Sequence, residues 1–161
     1  MAVENAFLKL IIDRAKTNVK RIVLPEGDED RNLAAAVEAA RLNIAKLTLL
    51  GDESKIKSSL AKLGANPADF VILNPLKSDL YQKFSQEYYE LRKSKGLTIE
   101  QARKQMEHPV YFGTMMIKAG LADGSVAGAI HSTADTVRPA LQIIKAAAGI
   151  KAQIAELMKK Q

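Results

Sequence analysis

The chain has 161 residues, 47% of them hydrophobic and 26% charged, with 24 basic against 18 acidic side chains and a formal net charge of +6. That length and balance describe one globular domain with a buried core and exclude wholesale disorder. With no cysteine, disulfides and thiolate chemistry are excluded; the two histidines, His108 and His131, are widely separated and no His/carboxylate spacing resembles a metal motif, so no zinc site is expected.

Met1 to Lys9 lacks the basic-then-apolar build of a signal peptide, and no apolar run is long enough to span a bilayer. A cytoplasmic location with no membrane partner is expected. Ala6 to Lys16 predicts a helix, with Leu8, Ile11, Ile12 and Ala15 at the spacing of one apolar face. Lys20 to Leu24 predicts a short buried strand. It stops at Pro25, Glu26 and Gly27, where proline removes a ladder donor and glycine permits a sharp turn. Asp28 or Asp30 then caps a helix with Leu33, Ala36, Val37 and Ala40 on one face.

The pattern repeats. Lys46 to Leu50 reads as a strand, Ser54 to Leu63 as a helix with Ile56, Leu60 and Leu63 inward, and Phe70 to Leu73 as a strand. A longer helix, Asp79 to about Lys93, aligns Leu80, Phe84, Tyr88 and Leu91, and Gly96 ends it. Phe84, Tyr88 and Tyr89 read as core and helix surface rather than a cofactor box. Thr98 opens a helix to about Glu107, and Pro109 separates it from a Met-rich helix over Val110 to Leu121. Gly124 to Ile130 predicts a fourth strand, centred on 126–130. After it comes a last helix with Val137, Leu141 and Ile144, and with Pro139 in its first turn. Strands alternating with helices call for an α/β fold: a parallel sheet between two helical layers, with right-handed crossovers.

Ligands of open parallel sheets collect outside the carboxyl ends of strands, where helix starts present free N–H groups. That rule selects Pro25 to Arg31 and His131 to Arg138. In the second segment Ser132, Thr133 and Thr136 offer hydroxyls, and Arg138 carries a planar fork suited to a phosphate. The plainer reading stays open: Thr133 or Asp135 as an N-cap, with Arg138 solvated. Glu26, Asp28, Glu29 and Asp30 form an acidic cluster that reads as caps and helix-dipole partners rather than a metal site. Basic residues are spread along the chain with no aromatic-interleaved stripe, so a solvated surface or a small anionic ligand is expected and no nucleic acid.

Four segments carry a family resemblance: Arg21 to Arg31 (RIVLPEGDEDR), Glu90 to Gly96 (ELRKSKG), Pro109 to Met116 (PVYFGTMM) and Asp123 to Lys145 (DGSVAGAIHSTADTVRPALQIIK). Over about residues 4–145 the sequence resembles the phosphate acetyltransferases, which have phosphate butyryltransferases as relatives. The resemblance implies a three-layer α/β/α domain like the first domain of isocitrate and isopropylmalate dehydrogenases. It also implies reversible transfer of an acetyl group between CoA and phosphate, with acetyl-CoA, CoA, phosphate and acetyl phosphate as substrates and no cofactor or metal. In that family a CoA thiolate attacks the acyl phosphate carbonyl directly, a base takes the thiol proton, and arginines hold the phosphate. By resemblance Arg138 is the catalytic, phosphoryl-binding arginine, Arg92 binds CoA or phosphate, and Ser132 and Thr133 donate to the same anion.

The family pattern continues into a second domain that supplies the base, a Ser-Arg pair and most of the dimer interface. Here residues 1–145 match the first domain, and residues 146–161 read as a helical tail foreign to the family. In that tail Ile150, Ile154, Leu157 and Met158 share one face, and the tail packs on the same domain. The expectation is a monomeric half-enzyme, inactive alone. The alternative is a truncated or engineered scaffold domain with no ligand.

Overall fold

Neighbouring residues of a strand point to opposite faces, so a strand buried on both sides needs apolar side chains at successive positions. The computed structural model, which describes residues 6–145, shows β1 (Lys20–Leu24) and β2 (Ala45–Leu50) buried in this way. With β3 (Val71–Leu73) and β4 (Gly124–Ser125) they form one parallel sheet in the order β3-β2-β1-β4. Val23 and Leu50 face a cluster containing Phe84 of α4 (Leu80–Arg92), Met106 of α5 (Ile99–Met106) and Phe112 and Met115 of α6 (Pro109–Lys118). Leu24, Leu47 and Leu49 face the other way, onto Leu33 and Val37 of α2 (Asp30–Arg41) and Ile56 and Leu60 of α3 (Glu53–Lys62). The result is the expected three-layer α/β/α sandwich. Phe84 and Phe112 meet edge to face at 5.1 Å in the first cluster, and truncating either costs about 3–5 kcal/mol.

Helix starts are set by local chemistry. Glu29 caps α2 by accepting from the Asn32 N–H, in place of the expected Asp28 or Asp30. Thr98 and Gln101 form a reciprocal capping box on α5, and Pro109 opens α6 where no donor is needed. The predicted apolar stripe of α1 (Ala6–Thr17) is present, but none of its residues is buried; Leu8 and Ile11 stay exposed.

Two expectations fail at the fourth strand and the last helix. Residues 126–130 are not a strand: pairing with β1 covers Gly124 and Ser125, and the Val126 N–H still donates to the Val23 carbonyl at 3.1 Å. Beyond that point β1 has run into Pro25, and the Gly27 N–H turns toward the Leu50 carbonyl of β2 at 2.9 Å. The chain after β4 therefore has no ladder partner and bends away. Pro139 lies inside α7 (Thr133–Ile143), not in its first turn, because the helix begins earlier, at a Ser132 cap. At that internal position the proline removes one helical hydrogen bond. β4 is locked in register by Arg21, whose guanidinium grips the Asp123 carboxylate through Nη2 at 2.7 Å and Nε at 3.2 Å. Among the described residues no helix is long and apolar enough to cross a membrane. The helical tail expected over residues 146–161 lies outside the described residues.

Candidate functional site

Four helices, α4, α5, α6 and α7, line a single open cleft of about 400 Å³ that holds both Arg92 and Arg138. Its lining includes Tyr88, Lys95, Gln101, Gln105, Tyr111 and Gln142 besides the two arginines and, among the described residues, no carboxylate. The floor is a polar junction between helices. Tyr88 and Tyr111 both donate their hydroxyls to Gln142 Oε1, at 2.7 and 3.1 Å, with their rings edge to face at 5.7 Å. Burial and the adjacent Tyr111 push the Tyr88 phenol up to about 12, against the pull of Arg92, and burial raises Tyr111 as well. Both phenols are therefore neutral donors at physiological pH. The Arg138 side chain, 58% exposed, has a loose pairing with Asp135 at 3.9 Å and is available to a ligand.

A second cleft, about 260 Å³, opens at the carboxyl ends of β1, β2 and β3. Its lining includes Glu26, Asp28, Asp52 and Glu107 beside His131, so its field repels anions. A larger hollow of about 520 Å³ lies beside Asn43, Ala45 and Lys46, where the strands begin, the end at which open parallel sheets do not take ligands. Of these three, the arginine cleft is the one whose described lining carries cations and no carboxylate.

Between the two clefts the start of α7 is tied to β1 by Glu26. The Gly128 and Ala129 N–H groups donate to Oε2 at 2.9 and 2.8 Å, and those of Ile130 and His131 to Oε1 at 2.9 and 2.8 Å. His131 Nδ1 lies 2.7 Å from Oε1. Burial pushes this carboxyl up, but the Ile130, Ala129 and His131 N–H groups and the His131 ring outweigh it and hold it at about 2. An ionised carboxylate only accepts, so Nδ1 of His131 carries the proton. The His108 ring packs 4.7 Å from that of His131, and burial, followed by the neighbouring imidazole, lowers its pKa.

The sequence-predicted site residues divide. Arg92 and Arg138 share the cleft; Ser132 and Thr133 do not line it. Ser132 caps α7, its Oγ accepting from the Asp135 N–H at 3.2 Å and donating to Asp135 Oδ2 at 2.6 Å, while Thr133 is exposed in the first turn. The N-cap is thus Ser132 and not Thr133 or Asp135. Of the acidic cluster, Glu29 is a cap and Asp28 pairs with Lys55 at 3.2 Å, but Glu26 is neither. Sequence reasoning missed Glu26, Gln142 and the polar ends of Tyr88 and Tyr111. For Glu26 one signal existed: it directly follows the strand and proline that end β1, facing the predicted start of the last helix. Gln142 had none, since its partners lie on other helices.

Comparison with known proteins agrees with this architecture. The sequence model of the phosphate acetyl/butaryl transferase family matches residues 6–159. A phosphate acetyltransferase of Thermoanaerobacterium thermosaccharolyticum is 47% identical over 146 residues, covering 91% of this chain and 44% of that protein. One of Acetivibrio thermocellus is 48% identical over 146 residues, covering 91% and 43%. The crystal structure of a phosphotransacetylase from Streptococcus pyogenes superposes with a TM-score of 0.84 at 39% identity, over 92% of this chain and 45% of that one. The chain spans less than half the length of these relatives and matches them across most of its own. Fold and sequence agree: the chain belongs to the phosphate acetyl/butyryl transferase family.

Proposed function

We propose that the chain is the substrate-binding N-terminal half of a cytoplasmic phosphate acetyltransferase, whose basic cleft receives the phosphate groups of phosphate, acetyl phosphate or CoA. In the complete enzyme the reaction is acetyl-CoA plus phosphate to CoA plus acetyl phosphate. One observation carries the reading: Arg92 and Arg138, on different helices, line one open cleft to which the described residues bring three cationic side chains and no acidic one. Arg138 grips the phosphoryl oxygens with its fork and stabilises charge developing on them, and Arg92 holds CoA or phosphate from the opposite wall. Ser132 and Thr133 stand at the start of the same helix, outside the cleft lining; Ser132 is engaged with Asp135, and the exposed Thr133 is the hydroxyl open to a ligand that extends beyond Arg138.

The half-enzyme does not turn over alone. A thiol must lose its proton to attack, and among the described residues the cleft supplies no acceptor: its phenols are pushed up in pKa and its other polar groups are amides and cations. Loss of a single transition-state donor costs roughly 3–4 kcal/mol, and the absence of a base adds to that. Thiol release from acetyl-CoA and phosphate by the purified chain is expected to stay at background, and Arg138-dependent turnover refutes this. Phosphate titration followed by side-chain signals of Arg92 and Arg138 is expected to move both. A chain whose spectrum ignores phosphate and CoA is a scaffold and not half of a binding site.

A further inference from the structure

The strand order reverses between β1 and β4, and the crevice at such a switch point is where doubly wound sheets take their ligands. Here the protein fills that crevice with its own anion. Four consecutive backbone N–H groups, from Gly128 to His131, converge on the Glu26 carboxylate, the arrangement in which a backbone nest holds an external anion. Glu26 is 1% exposed. Gly128 takes φ +104°, a conformation that side-chain-bearing residues rarely adopt, so glycine is required for the wrap. From the other side Arg31 Nη2 donates to the Ala129 carbonyl at 2.7 Å.

What this clasp controls is α7. That helix buries only Pro139 and Ile143, and its second polar anchor is Gln142 on Tyr88 and Tyr111. Arg138 sits between the two anchors. We propose that Glu26 is a positioning residue: an internal anion around which residues 128–131 close, setting the start of α7 and thereby the reach of Arg138 across the basic cleft. It acts through the helix and touches no substrate. Its binding readout rests on the reading that the cleft takes a phosphate. The donor set favours a carboxylate: four N–H groups and an imidazole N–H converge on its two oxygens, and an ionised acid, which only accepts, opposes none of them with a donor of its own. An amide turns donors against donors.

The test uses the 161-residue chain, isotopically labelled, as wild type, Glu26→Gln and Glu26→Ala, titrated with inorganic phosphate while the Arg92 and Arg138 guanidinium signals are followed. Glu26→Gln is expected to keep the signals of β1–β3 and to bind phosphate at least tenfold more weakly. Formate added to Glu26→Ala enters the vacated nest; it is expected to restore the 128–131 amide shifts and, with them, the Arg138 response. A folded Glu26→Gln that binds phosphate as tightly as wild type overturns the proposal, as does formate that restores the amides without the Arg138 response. If both variants unfold, Glu26→Asp keeps the charge one methylene short; weakened phosphate binding supports the proposal and wild-type affinity overturns it. If wild type ignores phosphate, the anion reading has failed, and hydrogen exchange decides the positioning claim. Faster exchange of the 128–138 amides in Glu26→Gln supports it, and unchanged exchange refutes it.

Discussion

At Glu26 two opposing effects set the pH range over which the domain holds together. Burial disfavours the charge, the N–H donors favour it more strongly, and the carboxyl comes to rest near 2 in the folded state. The unfolded value is about 4.3, so the folded pKa is depressed. The stabilisation is fully present above about 4.3 and is lost as pH falls from there through about 2; its size is about 3 kcal/mol. The groups facing the carboxylate are His131, with His108 beside it, and Arg31 of α2. Urea unfolding between pH 2 and 5 is expected to show a steeper acid loss for wild type than for Glu26→Gln, and parallel curves contradict this. Arg138 poses a different question, one of shape. Arg138→Ala is expected to weaken phosphate binding about tenfold, or about 1.4 kcal/mol, and Arg138→Lys to recover only part of it, because the ammonium keeps charge but not the two-pronged donor geometry. Calorimetric titration of both variants checks this.

Among the elements, the turn from β1 into α2 is the tightest. A Cβ placed on Gly27 comes within 2.7 Å of the Leu50 nitrogen and 2.8 Å of its oxygen, both backbone atoms of β2 that have no room to move. Glycine is needed here for close approach and not, as the turn pattern suggested, for an unusual backbone angle; its φ is ordinary. Gly27→Ala is expected to destabilise the domain by about 3 kcal/mol, the upper end for forced overpacking, and to lower Tm measurably. An unchanged Tm rules out the contact. The same turn aims Glu26 into the switch-point crevice, so a displaced β2 also disturbs the start of α7. The fourth strand teaches a related lesson. Apolar composition favoured a ladder over 126–130, but a strand needs a partner, and β1 ends at Pro25 before one is available.

For the whole molecule, part of the net charge of +6 is gathered where Arg92, Lys95 and Arg138 line one cleft, with Asp135 only loosely paired to Arg138 at 3.9 Å. Lys95 and Arg138 are exposed and Arg92 is half-buried, so phosphate affinity is expected to fall as salt is raised from low to physiological levels, as screening dictates. An affinity independent of ionic strength, followed by the same titration, moves the site elsewhere. The second cleft, with its acidic lining, is expected to stay silent to phosphate under the same conditions. The chain covers less than half the length of the relatives it matches.

Periodicity along the chain determined the helices, three of the four strands and the parallel α/β class, because those depend on which side chains must leave water together and on local caps and breakers. The segments around Arg92 and Arg138 were visible too, as motifs. What only the tertiary structure decided is which groups meet. Glu26 reaches residues about a hundred positions away, Gln142 takes two phenols from two other helices, and Ser132 spends its hydroxyl on the helix it caps. Long-range polar partners leave no local pattern, since the backbone and hydroxyl groups they satisfy look the same in sequence whether they face water, a ligand or another side chain.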